Sequence, residues 1–208
     1  MTLSGSDQPT FTVLLVCTGN VCRSALAEHL GRAYLREALG PRADAIRVVS
    51  AGTRAVVGSA MHPDSALVLR GLGAEHGDFR ARQLEAHMAA EADLILAMTR
   101  RHRRDVLHGA PRAMARTFTL REAADLLAIL GDDVPLDGGS LIVRARGLVA
   151  EMAAARSRRH GGQDADDIRD PVGEPLEVHE EVGEAIAAAL LPVLMRFVGH
   201  LQPPDNTQ

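Results

Sequence analysis

Near the start of the chain, Cys17 and Arg23 bracket five residues in the run Cys17-Thr18-Gly19-Asn20-Val21-Cys22-Arg23-Ser24. A free thiol with a pKa of about 8.5 is mostly protonated at neutral pH, but a helix N-terminus and a neighbouring guanidinium can lower that value by several units. Arg23 presents a planar fork of donors that suits two oxygens of a tetrahedral oxyanion. Gly19 and Asn20 both tolerate unusual backbone angles, so the loop can fold its amides inward around one point. Such a point at the start of a helix holds an anion. Ser24 offers a hydroxyl that could bond the sulfur and ease its departure as a leaving group. Alone, Cys17 would read as a small core residue and Cys22 as a structural one. The joint pattern points instead to a thiolate nucleophile facing a bound oxyanion.

The flanking elements place these residues. Phe11 to Val16 is an apolar β-rich run, and Ser24 to Leu39 has helical spacing through Leu26, Leu30, Ala33 and Tyr34. Cys17 therefore sits at the carboxyl end of the first strand, where open α/β sheets bind ligands. A second strand over Ile46–Val49 closes on Ser50-Ala51-Gly52, and a short helix over Asp64–Gly71 follows Pro63. The pattern then predicts a helix over Ala81–Glu91, a buried strand over Leu94–Met98, a weaker fourth strand over Arg116–Leu120 and a helix over Leu120–Leu130. Breakers from Gly131 to Gly139 precede a helix from about Leu141 to Arg159, and Gly161–Asp167 reads as a polar loop. The last helix, Glu177–Leu201, is amphipathic, with Pro192 expected to kink or locally disrupt it. Apolar strands alternating with helices argue a parallel sheet covered on both faces.

The 208 residues, 46% of them hydrophobic, suffice for one core. The expected layout is one domain over 11–202 with an extra helical segment at about 131–163, and flexible tails at 1–10 and 203–208. Aromatic residues make up only 2%, so stacking on a ligand is scarce. The formal charge of -4 gives no general attraction to nucleic acid or to an anionic membrane. The basic run Arg100, Arg101, Arg103, Arg104 and the acidic run Asp164, Asp166, Asp167, Asp170 read as a solvated helix end and a solvated loop. Two cysteines are too few for a disulfide framework or a structural zinc site, which fits a reducing cytoplasm. His62-Pro63 and the scattered histidines lack metal-ligand company and read as surface or capping residues, and no Walker or dinucleotide glycine motif occurs. The N-terminus does not read as a signal peptide, and no stretch reads as a membrane span.

The run Val16 to Ser24 resembles the signature of the low-molecular-weight protein tyrosine phosphatases. The resemblance extends to Ser50-Ala51-Gly52-Thr53, Arg80-Ala81-Arg82-Gln83-Leu84, Ala92 to Met98 and Asp170-Pro171, covering roughly 11–130 and 166–200. It implies a three-layer α/β/α fold with a mainly parallel four-stranded sheet in the order 2-1-3-4. It further implies a cysteine-dependent phosphatase acting through a phosphocysteine, most naturally on protein phosphotyrosine, with a phosphorylated protein or a small phosphate ester as partner. Cys17, Arg23 and Asp170 are then catalytic, Asp170 as proton donor, and Thr18, Gly19, Asn20, Val21, Cys22, Arg23 and Ser24 bind the phosphate. No cofactor and no metal are implied, and Cys22 is a reversible redox partner for Cys17.

Two features depart from the family pattern. Its usual aromatic walls are replaced by Arg54-Ala55-Val56-Val57 and Val172-Gly173, which leaves Val56, Val57 and Val172 as a smaller apolar rim. Val21 lacks the hydroxyl expected of the phosphoarginine-specific branch. The segment 131–163 is longer than usual and reads first as a packing extension, second as a cap or recognition element. The competing functions are a thiol-dependent arsenate reductase on the same fold and a non-catalytic phosphoprotein-binding module.

Overall fold

The computed structural model describes residues 10–131, 140–160 and 163–199. Apart from Thr10, the expected tails lie outside these residues, as do 132–139 and 161–162 of the extra segment. Four strands form the sheet: β1 (Phe11–Cys17), β2 (Ile46–Gly52), β3 (Leu94–Ala97) and β4 (Thr117–Thr119). All neighbours are parallel, in the order β2-β1-β3-β4. The register pairs Cys17 with Gly52 and Val16 with Ala97, so three strands release their chains at one edge.

Every side chain of β1 is buried, as a central strand covered on both faces requires. Phe11, Val13, Leu15 and Cys17 pack into a large layer with α1 (Arg23–Leu39), α2 (Pro63–Gly71), α5 (Leu120–Leu130), α6 (Leu141–Ala154) and α7 (Leu176–Gly199). Leu14 and Val16 turn the other way, into a smaller layer with α3 (Ala86–Glu91) and α4 (Arg100–Gly109). The period-2 alternation of one strand thus builds the three-layer α/β/α sandwich.

Local chemistry sets the strand-to-helix turns. Thr119 and Glu122 form a reciprocal capping box that starts α5 directly after β4, so Leu120 is helical and not the end of the strand. Thr99 caps α4 by accepting from the His102 amide. The expected helix over Ala81–Glu91 begins only at Ala86. Residues 81–85 are extended because Gly52 bonds both sides of Gln83, its amide to the Arg82 carbonyl and its carbonyl to the Leu84 amide. That tertiary pairing overrides local helical preference.

Pro192 lies inside a continuous α7. The carbonyl it leaves without an amide partner is that of Ala188, which is exposed as Pro192 is, so water can satisfy it. Against the sequence expectation, α7 is long and apolar enough to cross a membrane by length and composition. Its burial is that of a core helix, with Val182, Ile186, Leu190, Val193, Leu194 and Phe197 packed inside the domain. A Cβ at Gly183 would collide with Val68, so the glycine sets the close approach of α7 to α2. In the extra segment, Ile142, Ala145, Leu148, Val149 and Met152 of α6 join the main core. Arg156 lies 4.1 Å over the Phe118 ring and donates to the Thr117 carbonyl at 2.6 Å, closing the β4 edge.

Candidate active site

The strand β1 delivers Cys17 to the base of a loop whose carbonyls are tied outward. The carbonyls of Cys17, Thr18 and Gly19 accept from the amides of Thr53, Arg54 and Val56 at 2.9, 3.0 and 3.0 Å, and that of Val21 from His62 at 2.8 Å. A trans peptide points its N–H opposite to its C=O, so these bonds turn the following amides inward. The Asn20 amide is one of them, directed at Cys17 Sγ from 3.3 Å. Asn20 adopts φ +56°, the left-handed conformation its short polar side chain tolerates.

Asn20 is fully buried and holds the loop through its side chain. Its Nδ2 donates to Ser24 Oγ at 2.9 Å and to Ser50 Oγ at 2.7 Å, while Oδ1 accepts from the Arg82 amide at 2.9 Å. Ser50 donates onward to Glu28 at 2.5 Å, and the buried Glu28 is paired with Arg32 at 2.5 Å and Arg82 at 3.7 Å. Ser24 Oγ accepts from Asn20, so its own hydrogen is free to be donated to Cys17 Sγ, 2.9 Å away. The sulfur, only 2% exposed, therefore faces two donors, the Ser24 hydroxyl and the Asn20 amide.

Arg23 opens α1 and is itself buried. Its Nη1 donates to the Ile168 carbonyl at 3.0 Å, and its Nη2 lies 2.5 Å from Asp170 Oδ2 and 3.5 Å from Thr18 Oγ1. The Ile168 amide is pinned to the Met98 carbonyl at 2.8 Å, so the segment leading to Asp170 is fixed to the end of β3. Asp166 and Asp167 are not the solvated loop residues expected. Asp166 is buried against Arg159, and Asp167 accepts from the Arg100 amide at 2.8 Å. Arg100 and Arg103, expected in a solvated helix end, are likewise engaged, Arg103 with the Thr117 carbonyl at 3.0 Å. The Asp164 side chain lies outside the described residues.

The linear sequence gave no role to His102. It is buried, with Nε2 2.8 Å from Thr18 Oγ1 and Nδ1 2.9 Å from Thr99 Oγ1. Burial first, then the Arg23 charge, hold its pKa down at about 4, so a neutral imidazole supports the loop threonine. Cys22, also buried, has its thiol pushed up to about 11, mainly by burial. Both cysteines are free. The two thiols thus meet different partners, Cys17 the Ser24 hydroxyl and the Asn20 amide, Cys22 the Ser65 hydroxyl.

A sequence profile described as "Low molecular weight phosphotyrosine protein phosphatase" matches residues 12–129. The chain belongs to that family. Among curated members, a probable low molecular weight protein-tyrosine-phosphatase EpsP of Ralstonia solanacearum is 35% identical over 111 residues, which are 53% of this chain and 71% of that protein. Two solved structures share the fold. The low molecular weight protein tyrosine phosphatase of T. tengcongensis is 27% identical with a TM-score of 0.63, covering 89% of this chain and 99% of its own. The YwlE arginine phosphatase of Geobacillus stearothermophilus is 26% identical with a TM-score of 0.62, covering 92% and 93%.

As a member of this family the chain is a cysteine-dependent phosphatase, and the expected sheet order and three-layer fold are those observed. The profile ends before Asp170, α6 and α7. The place of Asp170 in this phosphatase therefore rests on its 2.5 Å contact with Arg23. Val56, Val57 and Val172 are 53%, 68% and 59% exposed, an apolar rim without a ring.

Proposed function

We propose that this phosphatase hydrolyses aryl phosphate monoesters, protein phosphotyrosine foremost, through a phosphocysteine formed on Cys17. The Cys17 thiolate attacks phosphorus in line as the phosphorus–oxygen bond to the leaving group breaks. Arg23 and the inward amides of Thr18–Ser24 hold the equatorial oxygens. Asp170 gives its proton to the departing oxygen, then takes one from the water that cleaves the sulfur–phosphorus bond. Ser24 donates to the sulfur while it carries negative charge, both before attack and as it leaves.

The observation that carries this reading is that Ser24 and the Asn20 amide meet Cys17 Sγ while Arg23, which ends the same loop, meets Asp170. The tyrosine phosphatases among the relatives support the substrate class, and a small phosphate ester can enter the same site. Two free cysteines support a reducing compartment, the cytoplasm. The test compares turnover of phosphotyrosine, phosphoserine and phosphoarginine peptides, with arsenate as a fourth substrate. Phosphotyrosine turns over fastest; faster release from phosphoarginine, or thiol consumption driven by arsenate, would displace the proposal.

A further inference from the structure

Behind the phosphate-binding loop, three helix starts meet. Cys22 precedes α1, His62 precedes α2, and His179 lies in the first turns of α7. One ligand atom from each of these side chains lies within 4.8 Å of the other two. The histidines are far apart in sequence, and only the fold gathers them. Their rings stack at 4.7 Å and 18°, an arrangement that leaves His62 Nδ1 and His179 Nε2 buried with no hydrogen-bond partner. His179 is 1% exposed, so water does not satisfy it from bulk solvent. Asp64 Oδ2 lies 3.8 Å from that same His62 nitrogen and 4.0 Å from that same His179 nitrogen.

We propose that Cys22, His62 and His179, with Asp64 as a fourth ligand, bind a divalent cation of the zinc class. A tetrahedral zinc site with nitrogen, sulfur and oxygen ligands has ligand-to-ligand edges of about 3.3–3.6 Å. The spacings, up to 4.8 Å among the three side chains and 3.8 and 4.0 Å from Asp64 to the two histidines, exceed this by at most about 1.5 Å, so the side chains must close in on a bound ion. One thiolate, two imidazoles and one carboxylate form a donor set suited to a borderline-soft ion. The outer contact is also present, since Ser65 Oγ lies 3.0 Å from His179 Nδ1 and fixes which nitrogen faces the site. A bound divalent charge displaces the thiol proton of Cys22 and leaves the thiolate as ligand. His62 and Asp64 are partly exposed, which gives the ion an entry path. The site borders the phosphate-binding loop, and a cation there engages the thiol otherwise free to pair with Cys17.

The test uses the full chain carrying Cys17→Ser, so that Cys22 is the only thiol. Cobalt(II) is titrated into chelator-treated protein and followed by absorbance, then displaced with zinc(II). The expected result is one cobalt per chain with a thiolate-to-cobalt charge-transfer band, and at least a tenfold loss of affinity in His62→Ala and in His179→Ala. Cobalt binding without the thiolate band would overturn the site. So would an unchanged affinity in His62→Ala with a native circular-dichroism spectrum, and that variant decides the matter if His179→Ala does not fold.

Discussion

Asp170 places Oδ2 2.5 Å from Nη2 of Arg23, although the arginine is buried and 46% of the aspartate side chain remains exposed. The carboxylate thus occupies Nη2 of the guanidinium while remaining open to solvent, and Arg23 Nε is left buried without a partner. In the proposed mechanism a phosphate bound at Arg23 lies beside this carboxyl group, which competes with it for Nη2.

Removing this carboxylate separates its two effects. Asp170→Ala lowers turnover of phosphotyrosine by about 10²–10⁴, the usual worth of a positioned acid. Binding of inorganic phosphate or vanadate is retained or tightened, because Arg23 loses its competitor. The loss is smaller for p-nitrophenyl phosphate, whose leaving group needs less protonation. An equal loss on both esters, with weakened vanadate binding, would assign Asp170 to structure alone.

Gly52 permits a close approach that no other residue allows. A Cβ there would stand 2.5 Å from the Thr18 carbonyl oxygen and 3.0 Å from the Asn20 amide nitrogen. Gly52→Ala therefore pushes the loop off Cys17, and an error of about 1 Å in such a site costs on the order of 10² in rate. Steady-state kinetics on p-nitrophenyl phosphate checks this against the thermal midpoint. Activity falls far more than stability does, and an unchanged kcat would show that the loop absorbs the contact elsewhere.

Acid weakens the fold through histidines buried as neutral rings. Burial lowers His102 and His29 from 6.5 to about 4 each, so between those values the unfolded chain binds more protons than the folded one. Their stabilisation is complete above about pH 6.5 and is lost as the pH falls toward about 4. Urea midpoints measured from pH 7 to pH 4 decline across this window, and His102→Gln flattens part of the slope. A slope unaffected by that substitution would place the acid sensitivity elsewhere.

The missing aromatic wall can be restored. Val172 is exposed and its amide lies 3.4 Å from Asp170 Oδ1, so a ring at this position borders the acid. Val172→Tyr raises kcat/KM for a phosphotyrosine peptide about 2- to 10-fold relative to an alkyl phosphate, the range expected of one aromatic pair. Equal change on both substrates would mean that the added ring does not reach the phenol.

The parts of this site readable from sequence were those written locally. Cys17 to Ser24 carries its own turn chemistry, and the apolar runs of β1 and β3 announce a covered parallel sheet. What local pattern could not give was long-range pairing. Residues 81–85 look helical until Gly52 bonds both sides of Gln83. Asp166 looks solvated until Arg159 closes on it. Glu28, Ser50 and Arg82 stood in or near matching segments, but their role appears only once Asn20 joins them. His102 and the pair His62–His179 carried no linear signal, because Thr18 reaches His102 from the loop after β1 and His179 reaches His62 from the distant α7.

The nucleophile itself is tested by exchanging sulfur for oxygen. Cys17→Ser keeps the size of the side chain and leaves Ser24, Arg23 and Asp170 in place, so the rate of p-nitrophenyl phosphate hydrolysis isolates the thiolate. The mechanism requires turnover at the background rate in this variant, with phosphate binding preserved; hydrolysis near the wild-type rate would contradict a phosphocysteine on Cys17.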